Sequence, residues 1–171
     1  MKEKKLKEIL SELKLRISSI ALTHQMLYQS GTTSNVLLHE YLQNLINQIY
    51  HSYENEKIKM NFTTNTKEFI INIDTAIPLG LLVNEIMTNA FKHAFKNKES
   101  GTIDITASVS GNKVALVIKD NGVGLPEDFQ AKMNNPTTLG FELISILNNQ
   151  LNLKMDIQNN NGAQFTLNFA I

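Results

Sequence analysis

An α/β sandwich, with a mixed sheet and helices on one face, follows from three features of the 171-residue chain. Short runs of alternating apolar residues mark strands in its middle and C-terminal parts. Segments of helical periodicity flank those strands, and turn-forming clusters join consecutive strands into hairpins. A long N-terminal helix precedes the sandwich.

Residues 1–29 predict one amphipathic helix. Leu6, Leu13, Ile20 and Leu27 recur every seven residues, and Leu10, Ile17 and His24 stand four after the first three. This alternating spacing is a coiled-coil seam, which calls for a partner helix in this chain or another. The Gly31 to Asn35 stretch breaks the helix. Helical periodicity resumes over 36–54, with Leu38, Leu42, Leu45, Ile46 and Ile49 inward. Alternation over 58–62 and an apolar run over 69–73 predict two strands. Pro78 suits a first helical turn, so a helix is predicted over 78–95. Strands over 102–109 and 113–119 follow, with Ser110-Gly111-Asn112 as hairpin connector. Residues 121–137 predict a long Gly-, Pro- and Asn-bearing loop, of a length that often carries function. A helix over 138–150 and strands over 153–158 and 164–169, joined by residues 159–162, complete the chain.

Composition narrows the function. Hydrophobic residues make up 42% of the chain, enough for an ordinary core. Sixteen basic and sixteen acidic residues balance, which argues against a broad surface for nucleic acid or anionic lipid. A small local phosphate site remains open. The absence of cysteine excludes disulfides, thiolate metal sites and cysteine nucleophiles. No apolar run approaches the roughly 20 residues that span a bilayer, and the charged start lacks the features of a secretory signal. A soluble, cytoplasmic protein is the expectation.

Four segments carry candidate chemistry. On the helix after Pro78, Glu85, Asn89, Lys92 and His93 fall within one stripe, while Leu82, Ile86, Ala90 and Ala94 can face the sheet. Carboxylate, amide, ammonium and imidazole together suit a metal with phosphates, the alternative being a solvated polar face. The Asn89 carbonyl is a ligand type that Mg accepts beside waters and phosphate oxygens. Glu85 can orient a metal-bound water or accept a proton, and Lys92 or His93 can offset phosphate charge. Second, an apolar strand runs into Asp120-Asn121-Gly122-Val123-Gly124. A carboxylate there can accept a hydrogen bond from an exocyclic amine, and the glycines let backbone approach a flat ring. Plain turn chemistry is the alternative. Third, Thr137-Thr138-Leu139-Gly140-Phe141 opens a helix, whose free N–H groups favour phosphate if the threonines do more than cap. Fourth, Asn161-Gly162-Ala163-Gln164-Phe165 is a turn entering the last strand.

In this order and spacing, NEIMTNAFKHAF, DNGVG, TTLGFELI and NGAQFTLNF resemble the N, G1, G2 and final glycine boxes of sensor histidine kinase catalytic domains. These belong to the gyrase, histidine-kinase and MutL ATPase superfamily, with the Bergerat fold. RISSIALTHQMLYQS and HEYLQNLINQIYHSY resemble the segment joining dimerisation and catalytic domains in a subfamily with a short ATP lid. The resemblance implies a partial dimerisation and phosphotransfer helix over 1–30, a connecting helix over 31–56 and an ATP-binding domain over 57–171. It implies that Asn89 coordinates Mg, that Glu85 is the catalytic acidic residue of the N box, acting on a metal-bound water or the phosphoacceptor, and that Lys92 and His93 lie near the phosphates. Asp120 would bind the adenine amine, with Gly122 and Gly124 shaping that wall. Residues 125–137 would form the lid, and Thr138, Leu139 and Gly140 would contact ATP. A homodimer through the N-terminal helices and a response-regulator partner are implied as well.

Three departures from the family pattern matter. The glycine-rich lid is reduced to Gly140, and the final box has Asn161-Gly162 in place of a glycine pair. No phosphoacceptor segment stands upstream, so the expectation is a fragment or a protein without its own acceptor. His24 is expected to be a packed or hydrogen-bonded seam histidine, and His39 and His51 surface or packing residues. The rival functions are a stand-alone ATPase or serine kinase of the anti-sigma-factor type, and a degenerate non-catalytic module.

Overall fold

The computed structural model describes residues 2–30, 34–53, 57–66, 68–136, 138–159 and 161–170, without the side chains of 2–5, 8, 27, 29 and 30. The expected break at 31–33, the seam side chain of Leu27 and the capping candidate Thr137 lie outside the described residues. In order, the elements are α1 (Lys2–Ser30), β1 (Asn35–Leu37), α2 (Leu38–Tyr53), β2 (Ile58–Thr64), β3 (Ile70–Asn72) and α3 (Ile73–Asn89). One π-helical turn, Ala90–Ala94, extends α3. Then come β4 (Gly101–Ser110), β5 (Lys113–Asp120), α4 (Phe129–Asn134), α5 (Leu139–Gln150), β6 (Lys154–Asn159) and β7 (Ala163–Ala170).

Five strands form one mixed sheet in the order β2-β4-β5-β7-β6. β2 runs parallel to β4, and the other pairs are antiparallel. Side chains alternate across it as strand geometry requires. Ile103, Ile105 and Ala107 of β4, Val114, Leu116 and Ile118 of β5, and Phe165, Leu167 and Phe169 of β7 are buried on one face. Residues of opposite parity, such as Asp104, Lys113 and Lys119, are exposed. Such one-sided burial means that the helices cover a single face. The buried face joins one cluster with Leu42, Leu45 and Ile46 of α2 and Leu79, Leu82, Val83, Ile86 and Met87 of α3.

Three local expectations need correction. α3 starts before Pro78, at Ile73, because the Asn72 side chain caps it by accepting from the Thr75 N–H at 2.9 Å. Asp74 in the first turn supports that start through the helix dipole. Residues 36 and 37, expected to open a helix, belong instead with Asn35 to strand β1, paired antiparallel with β3 in a separate two-stranded sheet. The segment 121–137, expected as loop throughout, contains the short helix α4.

The coiled-coil seam of α1 points to solvent. Leu6, Leu10 and Ile17 are 56%, 56% and 67% exposed, and His24 is exposed with them. His24 is therefore not packed within this chain. The opposite side, with Leu15, Arg16, Ser19, Thr23 and Met26, packs on the domain. Thr23 is fully buried where its hydroxyl meets Tyr41, whose own hydroxyl donates to the Ala76 carbonyl at 2.8 Å. Half-buried His39 and exposed His51 stand on α2 as expected.

Candidate functional site

The end of α3 and the loop after β5 are built against each other. The Ala94 carbonyl, at the helix end where no intrahelical partner remains, accepts the Val123 N–H at 2.8 Å. π turns are rare and cluster at functional positions. A Cβ on Gly122 would stand 2.3 Å from that same carbonyl oxygen, so only glycine lets the loop lie this close to the helix. Lys98 donates to the carbonyls of Asn121 and Gly122, which holds the loop from its other side.

Asp120 ends β5 on the buried face, in phase with Val114, Leu116 and Ile118, and is 5% exposed. Its Oδ1 accepts from the Gly122 N–H at 2.8 Å and the Ala163 N–H at 3.2 Å. Burial pushes its carboxyl above the usual aspartate range, against the opposing pull of those two N–H groups and of Lys98. Gly162 lies so close that a Cβ there would meet the Asp120 carbonyl oxygen at 1.9 Å, at a φ of +125°. The final glycine box therefore serves as backing for Asp120.

A cavity of about 500 Å³ opens between α3, the β5–α5 segment and α5. Asp120 lies on its wall among Ile86, Ile118, Ala163 and Phe165, and Asn89 and His93 line it from α3. Val123, Gly124, Leu125, Pro126 and Phe129 wall it from the lid side, and Thr138 and Phe141 from the start of α5. The segment after β5 is anchored at its root by Asn159 of β6. That side chain accepts from the Leu125 N–H at 3.1 Å and donates to the Leu125 carbonyl at 3.0 Å. Phe129 packs edge-on against Phe141 and Phe165, tying α4 to the cavity floor. Thr138 caps α5, its hydroxyl accepting from the Phe141 N–H.

Of the residues expected at the site, the cavity wall holds Asn89, His93, Asp120, Gly124 and Thr138. Gly122 stands behind it. Glu85 and Lys92 are turned toward α1, paired with Arg16 and Glu12. Leu139 is exposed, and Gly140 faces the Glu85 carboxylate instead of the cavity. Two wall residues escaped the sequence reading, Lys96 just past the π turn and Lys132 on α4. A lysine beside the N box and one in the lid were the available signals. Partial burial, with Lys96 and Lys92 nearby, pushes His93 below the usual imidazole value, which favours its neutral form.

The donor set suits a nucleotide. Apolar walls with one buried carboxylate fit a purine, and an amide, an imidazole and two lysines face the same space. Among the described residues, no group of three or more His, Cys, Asp or Glu is placed to hold a metal. A divalent cation here would therefore rely on the Asn89 carbonyl plus ligand oxygens and water, a set that Mg accepts.

A one-sided mixed sheet with a cavity between its long helix and a lid is the architecture of histidine-kinase ATP-binding domains. The chain belongs to the histidine kinase-, DNA gyrase B- and HSP90-like ATPase family, whose profile matches residues 74–171. A histidine kinase profile matches residues 1–53. The chain is 30% identical over 150 residues to blue-light-activated histidine kinase 2 of Erythrobacter litoralis, covering 85% of this chain and 42% of that protein. It is 28% identical over 145 residues to the sensor histidine kinase PdtaS of Mycobacterium tuberculosis, covering 82% of this chain and 28% of that one. The chain thus spans less than half the length of these relatives. Among solved structures, the histidine kinase domain of the Erythrobacter litoralis EL346 blue-light-activated kinase superposes with a TM-score of 0.83 at 26% identity. That match covers 93% of this chain and 74% of that one.

Proposed function

We propose that this chain binds Mg-ATP in the cavity between α3, the lid and α5. In this reading it is the catalytic part of a two-component sensor histidine kinase. The observation that carries this is the placement of Asn89 and Asp120 on the wall of one cavity with apolar sides. Asp120 reads the adenine amine. Its Oδ1 is held by two backbone N–H groups, which orients Oδ2 for a ligand donor. Gly122 and Gly124 shape that wall, and Ile86, Ile118 and Phe165 exclude water from the ring. At the other end Asn89 holds Mg, whose charge offsets the phosphates. His93, Lys96 and Lys132 add positive or donor groups there, and Thr138 sets the α5 start near the phosphates.

The γ-phosphoryl group goes to a histidine outside this sequence, and then to a response-regulator partner. Positioning and charge stabilisation dominate such transfers, which matches a site with few reactive groups. The exposed seam of α1 supports a homodimer through the N-terminal helices. Among the described residues, no helix is long and apolar enough to cross a membrane. We place this part of the protein in the cytoplasm.

A second reading has one observation in its favour. Over 53 residues, 31% of this chain, the sequence is 36% identical to the anti-sigma F factor of Clostridium kluyveri. Acid treatment of a phosphorylated product separates the two, since phosphohistidine is acid-labile and phosphoserine is not. Calorimetry tests the shared core of both. Asp120→Ala abolishes nucleotide binding, and Asn89→Ala removes the Mg dependence while keeping part of the adenine affinity. If both variants bind Mg-ATP as the parent does, these roles are wrong.

A further inference from the structure

The turn between α3 and β4 places a lysine against the back of the nucleotide cavity. The Lys98 N–H donates to the Phe95 carbonyl at 3.1 Å, and Asn97 before it takes a left-handed φ of +64°. The Phe95 ring closes the turn from the other end, since a Cβ on Gly101 would stand 2.1 Å from it. From this turn Lys98 Nζ donates to the carbonyls of Asn121 and Gly122, the latter at 3.1 Å. β4 holds the same loop: the Asn121 N–H donates to the Thr102 carbonyl at 3.2 Å, and its Oδ1 accepts from the Thr102 N–H at 2.8 Å.

The two carbonyls belong to peptide planes whose other sides are also engaged. The Asn121–Gly122 peptide carries the Gly122 N–H, which donates to Asp120 Oδ1 at 2.8 Å. The Gly122–Val123 peptide carries the Val123 N–H, which donates to the Ala94 carbonyl at 2.8 Å. Both peptides are trans, so each carbonyl points away from its own N–H. A cation on the carbonyl side therefore fixes the direction of the N–H on the other side and polarises it toward its acceptor.

We infer that Lys98 is a positioning residue for adenine recognition: by gripping the carbonyls of Asn121 and Gly122 it aims the Gly122 N–H at Asp120 Oδ1, which leaves Oδ2 set for the ligand. The inference rests on the reading of the cavity as a Mg-ATP site.

Lys98 also bears on the charge of Asp120. Together with the two N–H groups it pulls the carboxyl down, against the upward push of burial. Of the other titratable groups on the surrounding elements, His93, Lys96 and Lys132 line the cavity, and Glu85 is paired with Arg16. Asp104 and Lys119 stand on the outer face of the sheet, and Glu127, Asp128 and Glu142 are exposed. All of these remain in place when Lys98 alone is changed.

Calorimetry with Mg-ATP and hydrogen exchange, both on the whole chain, test this. Lys98 is exposed, so Lys98→Met keeps the fold. At neutral pH it weakens Mg-ATP binding about three- to tenfold, the effect of one ordinary hydrogen bond. Lys98→Arg keeps the charge and the donors and binds within about twofold of the parent. Without the Lys98 charge, burial raises the Asp120 carboxyl further. On acidification Lys98→Met therefore loses ATP binding at a higher pH than the parent or Lys98→Arg does. In the ligand-free chain, the Gly122 and Val123 amides exchange faster in Lys98→Met than in the parent. The inference is overturned by an unmoved pH profile, by a Lys98→Arg variant as weak as Lys98→Met, or by unchanged exchange at Gly122. A parent chain that binds no Mg-ATP overturns the function reading and this inference with it. A parent that binds, with a Lys98→Met variant of equal affinity, overturns this inference alone.

Discussion

On the proposed reading, replacing Asp120 by asparagine separates ligand recognition from fold stability, because the charged carboxylate serves the first and burdens the second. The side chain is 5% exposed, and burial outweighs the Gly122 and Ala163 N–H groups and Lys98, raising its carboxyl above the usual aspartate range. The charged form is therefore a net cost to the folded state at neutral pH. An asparagine Oδ1 still accepts from both N–H groups, while its amide presents a donor where the adenine amine also donates. Loss of a hydrogen bond to a charged group costs about 1.5–3 kcal/mol. Affinity for ATP accordingly falls by roughly 10- to 150-fold, while the melting temperature at pH 7 stays level or rises. The pH dependence has a definite sign. Between the usual aspartate value and the raised folded value, the folded protein binds more protons than the unfolded chain. The parent therefore loses stability from this group as pH rises through that window, and the advantage of Asp120→Asn closes as pH falls back through it. Calorimetry with ATP and thermal melts at pH 4, 5, 6 and 7 read both effects (about those four values suffice to bracket the carboxylate window). Affinity within twofold of the parent, or a melting temperature several degrees lower at pH 7, would refute the assignment.

Three further perturbations follow from the same geometry. Asn159→Ala removes both hydrogen bonds to Leu125; hydrogen exchange at the Leu125 amide speeds up, and Mg-ATP binding weakens about 3- to 10-fold by the value of one or two such bonds. Gly122→Ala drives a Cβ into the Ala94 carbonyl; denaturant titration shows a loss of about 1–3 kcal/mol, as for other overpacked sites. Asn72→Ala removes the cap on α3; the same titration shows a loss of about 1 kcal/mol with nucleotide affinity preserved.

Much of the fold was readable because period and burial coincide in the sheet. Val114, Leu116, Ile118 and Asp120 share one parity, so the inward direction of Asp120 is implied by the residues before it. Asn89 and His93 are one helical turn apart and reach the same cavity, as their spacing suggests. The start of α3 was misplaced because Pro78 is a conspicuous signal. The Asn72 cap with Asp74 was the better one, and the helix tolerates proline in its second turn. Strand β1 is three residues long and exists only through its pairing with β3, a partner that local pattern does not name. The π turn likewise has no periodic signature, yet it brings Ala94 to Val123.

The amino-acid sequence alone determined the sheet's inner face, the four motif segments and the family, since each depends on residue type and short-range spacing. Only the tertiary structure decided which side of α1 is buried and what Glu85 and Lys92 touch. Arg16 and Glu85 are 69 positions apart, and α1 carries apolar residues on two faces. Which face is covered depends on the surfaces that distant segments present, and that choice places Arg16 and Glu12 against α3.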